Sequence, residues 1–522
     1  MFTKLFKRVR QPLGCIVSLL VVSGTISTNI AAAFADEPAT LTVKSIPNLN
    51  IRMYGFIEND VINDSDQVSF YEEPDTAAIP KSNTYQGNNG RTIMSIRNSR
   101  LGFDITMPET DDLKTEAILE MDFLGNQAAN DTPMTDPGAA TAANTNAVTT
   151  VTPTVKNGVV TAVTTGTKGV LTSVGSTTQS ERDFFNNPTA RIRHAYLNFT
   201  MGNENLKIGQ TWSLFGWQPY YFPSEPIVSP SPGQLYRRFP QVRLTDTRTL
   251  DMVGLDKSWT LETAVDAAKP AQMYSEIPDF HAGIRICDNA YKAATGLGSG
   301  SSMTGLSLAL SGVWIPINSG NLNTGNTVNI GDQTGGGYAV DALIPIIASE
   351  DGKDMSNNLS LTAEYSDAAG DGGLELAGAT GGISAPSAAA LGFGTATTAA
   401  LDSGIAGVNM AGRLELIRFE TARANLTYIL PNPKWAVSAG YAQVKTDNVG
   451  DFTNSTSYSA ATTFANTGAI STYQYYYGSV FFVPLKWLKF AAEYAEYHDT
   501  YLDNVAPNAK DDRLQFTTYI TF

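Results

Sequence analysis

The chain has 522 residues, with 35 Lys and Arg against 50 Asp and Glu, a formal charge of −15, and 10% aromatic residues. That acidity argues against nucleic acid as a partner. Two cysteines exclude a disulfide-stapled fold, and a mean hydropathy of −0.12 leaves a membrane class open, because a wall with one apolar and one polar face averages to such a value.

Lys4, Lys7, Arg8 and Arg10 precede an apolar stretch over 13–22, and Ala33-Phe34-Ala35 follows. This reads as a secretory signal peptide over residues 1–35, cut after Ala35. Its removal leaves 31 basic against 50 acidic residues, a formal −19, and Cys287 as the single cysteine. No later segment offers about 20 consecutive apolar residues, which excludes insertion as a helix.

From residue 36 onward the recurring signal is period-two alternation. Leu101, Phe103, Ile105 and Met107 oppose Arg100, Gly102, Asp104 and Thr106; Leu113, Ala117, Leu119, Met121 and Phe123 oppose Lys114, Glu116, Glu120 and Asp122. A helix would scatter those charges, whereas a strand puts them on one face. Trp435, Val437, Ala439 and Tyr441 repeat the pattern, and the last strand sets Leu514, Phe516, Thr518, Ile520 and Phe522 against Arg513, Gln515, Thr517, Tyr519 and Thr521. One face suits lipid and the other a wet lumen, and a terminal aromatic after such a strand points to an all-β, transmembrane antiparallel barrel.

Strand starts fall near residues 50, 93, 113, 190, 204, 237, 249, 277, 304, 337, 357, 412, 434, 473, 486 and 512, about sixteen strands; fourteen or eighteen stay open. Long connections (63–92, 125–189, 214–236, 316–336, 367–411, 445–472) alternate with short ones at Pro108 to Asp112, Gly202 to Glu204, Pro431 to Pro433 and Pro484 to Leu485. That is the rhythm of external loops and periplasmic turns. The stretch from Asp288 to Met303 is too long for a tidy turn. Within 141–180, Asn157-Gly158 between β-branched runs predicts a β-hairpin flap, with a functionless insertion as the competing reading.

Arg52-Met-Tyr-Gly-Phe56, Asn98-Ser-Arg-Leu-Gly-Phe103, and Arg191-Ile-Arg-His-Ala-Tyr196 leading into Lys207-Ile-Gly-Gln-Thr-Trp-Ser-Leu-Phe-Gly216 together resemble general bacterial porins, and especially the DcaP-like trimeric porins. The resemblance is clearest over residues 50–250. It implies a homotrimer in which each chain forms its own pore in the outer membrane, and a loop after the fifth strand, here about 214–236, folded inward as a constriction. It also implies a preference for small anions such as dicarboxylates. The Pro- and aromatic-rich run Trp217 to Glu225 suits a stiff, packed loop; a girdle segment at the membrane surface is the alternative.

A pore selects by the charges lining its narrow section. Parity puts Arg52, Arg100, Lys207, Arg243 and Arg285 on the lumen side, with Arg237 and Arg238 just after the loop and Glu225 in it. Guanidinium forks bind carboxylates in pairs of hydrogen bonds, so these positions are the candidate solute pathway. The competing reading has them pair with Glu58, Asp104, Glu116, Glu120 and Asp122 to stiffen the wall. Parity sets Arg191 and Arg193 on the lipid side with Leu197 and Phe199, unless they stand above the bilayer or a bulge intervenes.

The three histidines, His194, His281 and His498, show no nucleophile pairing, so no catalytic residue, enzyme activity, metal or cofactor is expected. Asp64-Ser-Asp66 lacks the rest of a calcium loop. The expected partners are outer-membrane lipids, small anionic or polar solutes and two further copies of the chain. A structural barrel with a blocked lumen and partner-binding loops is the rival class; a secreted soluble sandwich is a third.

Overall fold

The computed structural model describes residues 40–42, 49–67, 72, 79–110, 112–125, 145–156, 159–171, 188–223, 226, 231–269, 277–294, 303–317, 333–371, 404–409, 411, 413–452, 469–502 and 509–522. Residues 1–35, where the signal peptide is expected, lie outside that set.

Sixteen strands form a closed antiparallel barrel. They are β1 (Asn50–Asp64), β2 (Arg91–Ser95 continued by Arg100–Thr106), β3 (Leu113–Gly125), β4 (Thr189–Met201), β5 (Glu204–Trp212), β6 (Arg238–Thr249), β7 (Trp259–Ala268) and β8 (Asp279–Ala294). The second half is β9 (Met303–Ile317), β10 (Gln333–Ile347), β11 (Leu359–Ala369), β12 (Arg418–Ile429), β13 (Trp435–Thr446), β14 (Ile470–Leu485), β15 (Leu488–Tyr501) and β16 (Ala509–Thr521). Each pairs with its chain neighbours, and β1 closes the ring on β16 with Phe56 opposite Thr521 and Asp64 opposite Arg513. Closure leaves no edge to recruit another strand. Thr40–Thr42 pairs with the start of β1.

Three details differ from the sequence reading. The strand expected near 249 begins at Trp259, because Thr245 to Thr249 stay paired as part of β6 and the chain then turns through a 3-10 turn at Asp251–Val253 closed by Gly254. The strand expected near 412 begins at Arg418, since Leu414–Leu416 pairs with Ala406–Val408 in a separate small hairpin. The long stretch after Asp288 is still strand: β8 continues to Ala294 through a register irregularity, Asp288 facing Leu306 and Lys292 facing Gly305. In the insertion, Thr145–Lys156 and Val159–Leu171 pair with each other and not with the barrel; Asn157 and Gly158 lie outside the described residues.

Alternation sorts the two faces. On β16 the inward Asp511, Arg513, Gln515, Thr517 and Tyr519 are buried, whereas the outward Ile520 and Phe522 are exposed. Outward aromatic rows bound an apolar band: Trp435, Phe482 and Phe490 stack at the short-turn end with ring spacings of 4.3 and 6.3 Å. Tyr441 and Tyr476 meet six residues along the strand, about 20 Å away. Val437, Ala439 and Val480 lie between. Inside, the Tyr477 ring covers Gly440, where a Cβ would come within 2.2 Å of it, so the strand is packed by its neighbour's aromatic face.

Candidate solute pathway

The lumen is filled unevenly. Over β9–β16 the inward side chains join loop residues in one apolar cluster, with Ile79, Leu235, Ile405, Ile417, Val449 and Phe452 packed against Tyr473, Tyr475, Tyr477 and Tyr497. These side chains are at most 5% exposed apart from Tyr477. On the opposite wall Tyr54, Glu116, Glu120, Tyr196, Asn198, Lys207, Glu262 and Arg285 all keep part of their surface accessible. The inner face along β1–β8 is therefore less closely covered than that along β9–β16.

The segment between β5 and β6 crosses this interior. It starts with a tight turn over Phe215–Trp217, where Gly216 has φ 74°, a left-handed geometry that favours glycine, and Trp217 has φ 46°. Leu214, Trp217 and Tyr221 then bury against Ala264, Ala309 and Leu343 of the wall. Gly216 N donates to Ser311 Oγ (2.8 Å), Trp217 Nε1 to the Leu310 carbonyl (3.2 Å), and the Tyr221 hydroxyl meets Ser307 Oγ (2.5 Å). Further on, Leu235 N donates to Glu364 Oε1 (3.1 Å), Arg423 Nη2 to the Tyr221 carbonyl (2.7 Å), and Gln515 Nε2 on β16 to the Pro226 carbonyl (2.8 Å). The aromatic content of this run goes into packing inside the barrel.

The candidate cations divide into two sets. Three face the lumen but are neutralised by a carboxylate on the adjacent strand: Arg52 with Asp104 (2.8 Å), Arg243 with Asp266 (3.1 Å), and Arg285 with Glu262 (2.5 Å). For these three the wall-stiffening reading describes the geometry. Arg100, Lys207 and Arg238, also on the inner face, and the exposed Arg237 form no ion pair with a described residue. Glu225 lies outside the described residues.

Aromatic faces support the cations instead. Arg100 lies 5.0 Å from the Phe56 ring centre, Lys207 4.9 Å from Tyr196 and Arg238 4.5 Å from Trp212, and the paired Arg285 also lies 3.7 Å from Tyr220. An aromatic face attracts a cation through its quadrupole without cancelling the charge. The side chain is held in place, yet its field still extends into the lumen.

Arg191 and Arg193 correct the parity reading. Glu120 of β3 faces His194 while Met121 faces Ile192, so Arg193 is the extra residue of a β-bulge. Arg193 is thereby turned inward and buried, bonded to Glu120 (2.7 Å) and Asp122 (3.1 Å); Arg191 also reaches Asp122 (2.7 Å). The sequence did carry a signal, since Arg193 and His194 are consecutive polar residues in an alternating strand. His194 is also inward, its Nδ1 3.2 Å from Thr211 Oγ1, and His281 meets Asp266 at 2.5 Å. His498 faces outward beside Glu496.

One residue that parity does not reach is Tyr236, where the crossing segment returns to β6. Its ring packs on Trp212 (4.6 Å) and Phe222 (5.2 Å), and Arg238 Nη1 donates to its hydroxyl at 3.4 Å. Burial pushes this phenol up, but Arg193, Arg238 and Arg100 more than offset that and bring it down to about 7. In the same segment, burial pushes the Tyr220 and Tyr221 phenols up.

No family model and no curated protein matches the sequence. Among solved structures, the outer membrane channel DcaP of Acinetobacter baumannii is similar over 93% of this chain and 100% of that one, with a TM-score of 0.57 at 18% identity. The anion-selective porin from Comamonas acidovorans matches more loosely (91% and 100% covered, TM-score 0.45, 7% identity), as does OprB of Pseudomonas putida (90% and 94%, TM-score 0.43, 10% identity). The chain has the fold of a bacterial outer-membrane porin and shares it along nearly its whole length with the DcaP channel.

Proposed function

We propose that this chain is an outer-membrane porin through which small hydrophilic solutes diffuse passively, with a preference for anions such as dicarboxylates. Residues 1–35 direct its export, the long connections face outward, and the segment 214–236 narrows the lumen as a constriction loop. The observation that carries this reading is the set of lumen-facing cations, Arg100, Lys207 and Arg238, set on aromatic rings instead of carboxylates. Uncancelled charge beside a narrow aqueous path selects ions of opposite sign.

The outer face supports a homotrimer. Among described residues the outward Tyr and Trp of the strands, such as Trp314, Tyr338, Tyr428, Trp435, Tyr476 and Tyr494, all lie on β7–β15. Strands β1–β6 and β16 carry none; β1–β5 instead expose Met53, Ile57, Met94, Ile192 and Met201. Aromatic belts mark where a barrel meets the lipid–water interface, so a sector without them is one that packs on protein.

The test is the current across a planar bilayer carrying detergent-purified protein, with reversal potentials in a salt gradient before and after adding a dicarboxylate. Stepwise currents in threes, an anion-selective reversal potential and dicarboxylate block are expected. The apolar cluster over β9–β16 favours a second reading, a barrel with a blocked lumen whose loops bind a partner. Absence of current from a folded, inserted protein would establish that reading over the channel.

A further inference from the structure

Tyr236 stands at a crossing of charges from several elements. From β4 come Arg191, Arg193 and His194, from β3 Glu120 and Asp122, from β2 Arg100 with Glu58 of β1 beyond it, and from β6 Arg238. The two β3 carboxylates are already committed to Arg191 and Arg193. Arg100 and Arg238 have no carboxylate partner among described residues, and Arg238 rests on the Trp212 and Tyr236 rings while donating to the Tyr236 hydroxyl. The phenol oxygen is therefore the acceptor bonded to Arg238 that can gain a negative charge by losing a proton.

We propose that Tyr236 is a specificity-determining residue of the pore: its phenol, held among three guanidinium groups, gives up its proton to become the counter-charge of Arg238 and Arg193, so the preference for anions weakens as the medium becomes more alkaline. The step is a proton passing from the phenol to water, with no other bond changed. The depressed phenol at this position accords with the geometry. The inference deepens the porin reading and rests on it for its consequence, but the ionisation itself can be observed without any current.

Two measurements on the detergent-purified full chain test it. The first is an ultraviolet titration of tyrosinate from about pH 5.5 to about pH 8, where ordinary tyrosines, ionising near 10, contribute little. A step of one tyrosine among the 22 in the sequence is expected near neutral pH, and the Tyr236→Phe variant is expected to lack it. No step in the wild type, or an unchanged step in Y236F, overturns the proposal. The second is the reversal potential in a salt gradient over the same range. The wild-type anion-to-cation permeability ratio is expected to fall by about sevenfold, since cancelling one unit charge about 7 Å away in water disfavours the anion and favours the cation by about 2.7-fold each. Y236F is expected to lose most of that fall, and a variant that keeps the full wild-type pH dependence overturns the proposal. His194→Gln separates the neighbouring imidazole: loss of the pH dependence in H194Q and its survival in Y236F would assign it to the histidine and refute Tyr236. If the protein inserts and carries no current, the porin reading fails while the tyrosinate step still decides the ionisation.

Discussion

Glu364 is the point where both limbs of the crossing segment are tied to the wall. Its Oε1 accepts from Arg423 Nε at 2.9 Å and from the Leu235 amide at 3.1 Å, and Arg423 Nη2 holds the Tyr221 carbonyl at 2.7 Å. The ion pair is buried, its side chains 5% and 1% exposed. Asp341, directly across from Glu364 on β10, is buried with neither carboxylate oxygen hydrogen-bonded. Replacing Glu364 by Gln keeps the shape but removes a charge-assisted bond, a cost of about 1.5–3 kcal/mol, with Asp341 left to balance Arg423. The double variant E364Q/D341N leaves the Arg423 charge without either counter-charge, which raises the cost to about 3–5 kcal/mol. Both variants are expected to loosen the crossing segment, so single-channel recordings should show added open-channel noise, greater in the double variant. Guanidinium unfolding in micelles, followed by the β-sheet circular dichroism signal, measures the stability change. If the double variant is no less stable than E364Q, within about 0.5 kcal/mol, then Asp341 is not the reserve counter-charge and the reasoning fails.

Three further outcomes follow from the same geometry. Arg238→Gln is expected to lower the anion-to-cation permeability ratio by about sevenfold, whereas the double variant R243Q/D266N, which removes a neutral pair, should change it much less; equal effects in reversal-potential measurements would contradict the division into paired and unpaired cations. Trp217→Ala removes a packed ring and its bond to the Leu310 carbonyl, a loss of about 3–5 kcal/mol of local packing, and should raise unit conductance with the barrel still folded. Lys placed at Ile57, on the sector without an aromatic belt, should abolish the cross-linked trimer and leave a folded monomer, while Lys at Val340 on the belted sector should destabilise the barrel in lipid by about 2–4 kcal/mol without dissociating it. Cross-linking and mobility on unheated gels separate the two cases.

The strand pattern was legible because a barrel wall imposes period two on every strand, and the terminal strand from Asp512 to Phe522 shows it without interruption. The long and short connections were legible for a related reason: a turn is short only where adjacent strands meet directly, as at Gly202 and Asn203 between β4 and β5. Sequence also determined which face Arg52, Arg100, Lys207, Arg243 and Arg285 occupy, since parity within a continuous strand depends on local geometry alone.

Parity has no bearing on what stands opposite. Only pairing between strands decided that Asp104, Asp266 and Glu262 cancel three of those cations, while Phe56, Tyr196 and Trp212 support others without cancelling them. Only the register of β3 against β4 showed the bulge that turns Arg193 inward, because a bulge is a relation between two strands. The eccentric lumen is likewise tertiary: Ile79, Leu235, Ile405 and Phe452 are far apart in sequence, and only closure of the barrel brings them against the tyrosines of β14 and β15. Alternation along one strand records which side a residue faces; its charge partners and the width of the water path depend on contacts across the ring, which the order of residues along the chain does not contain.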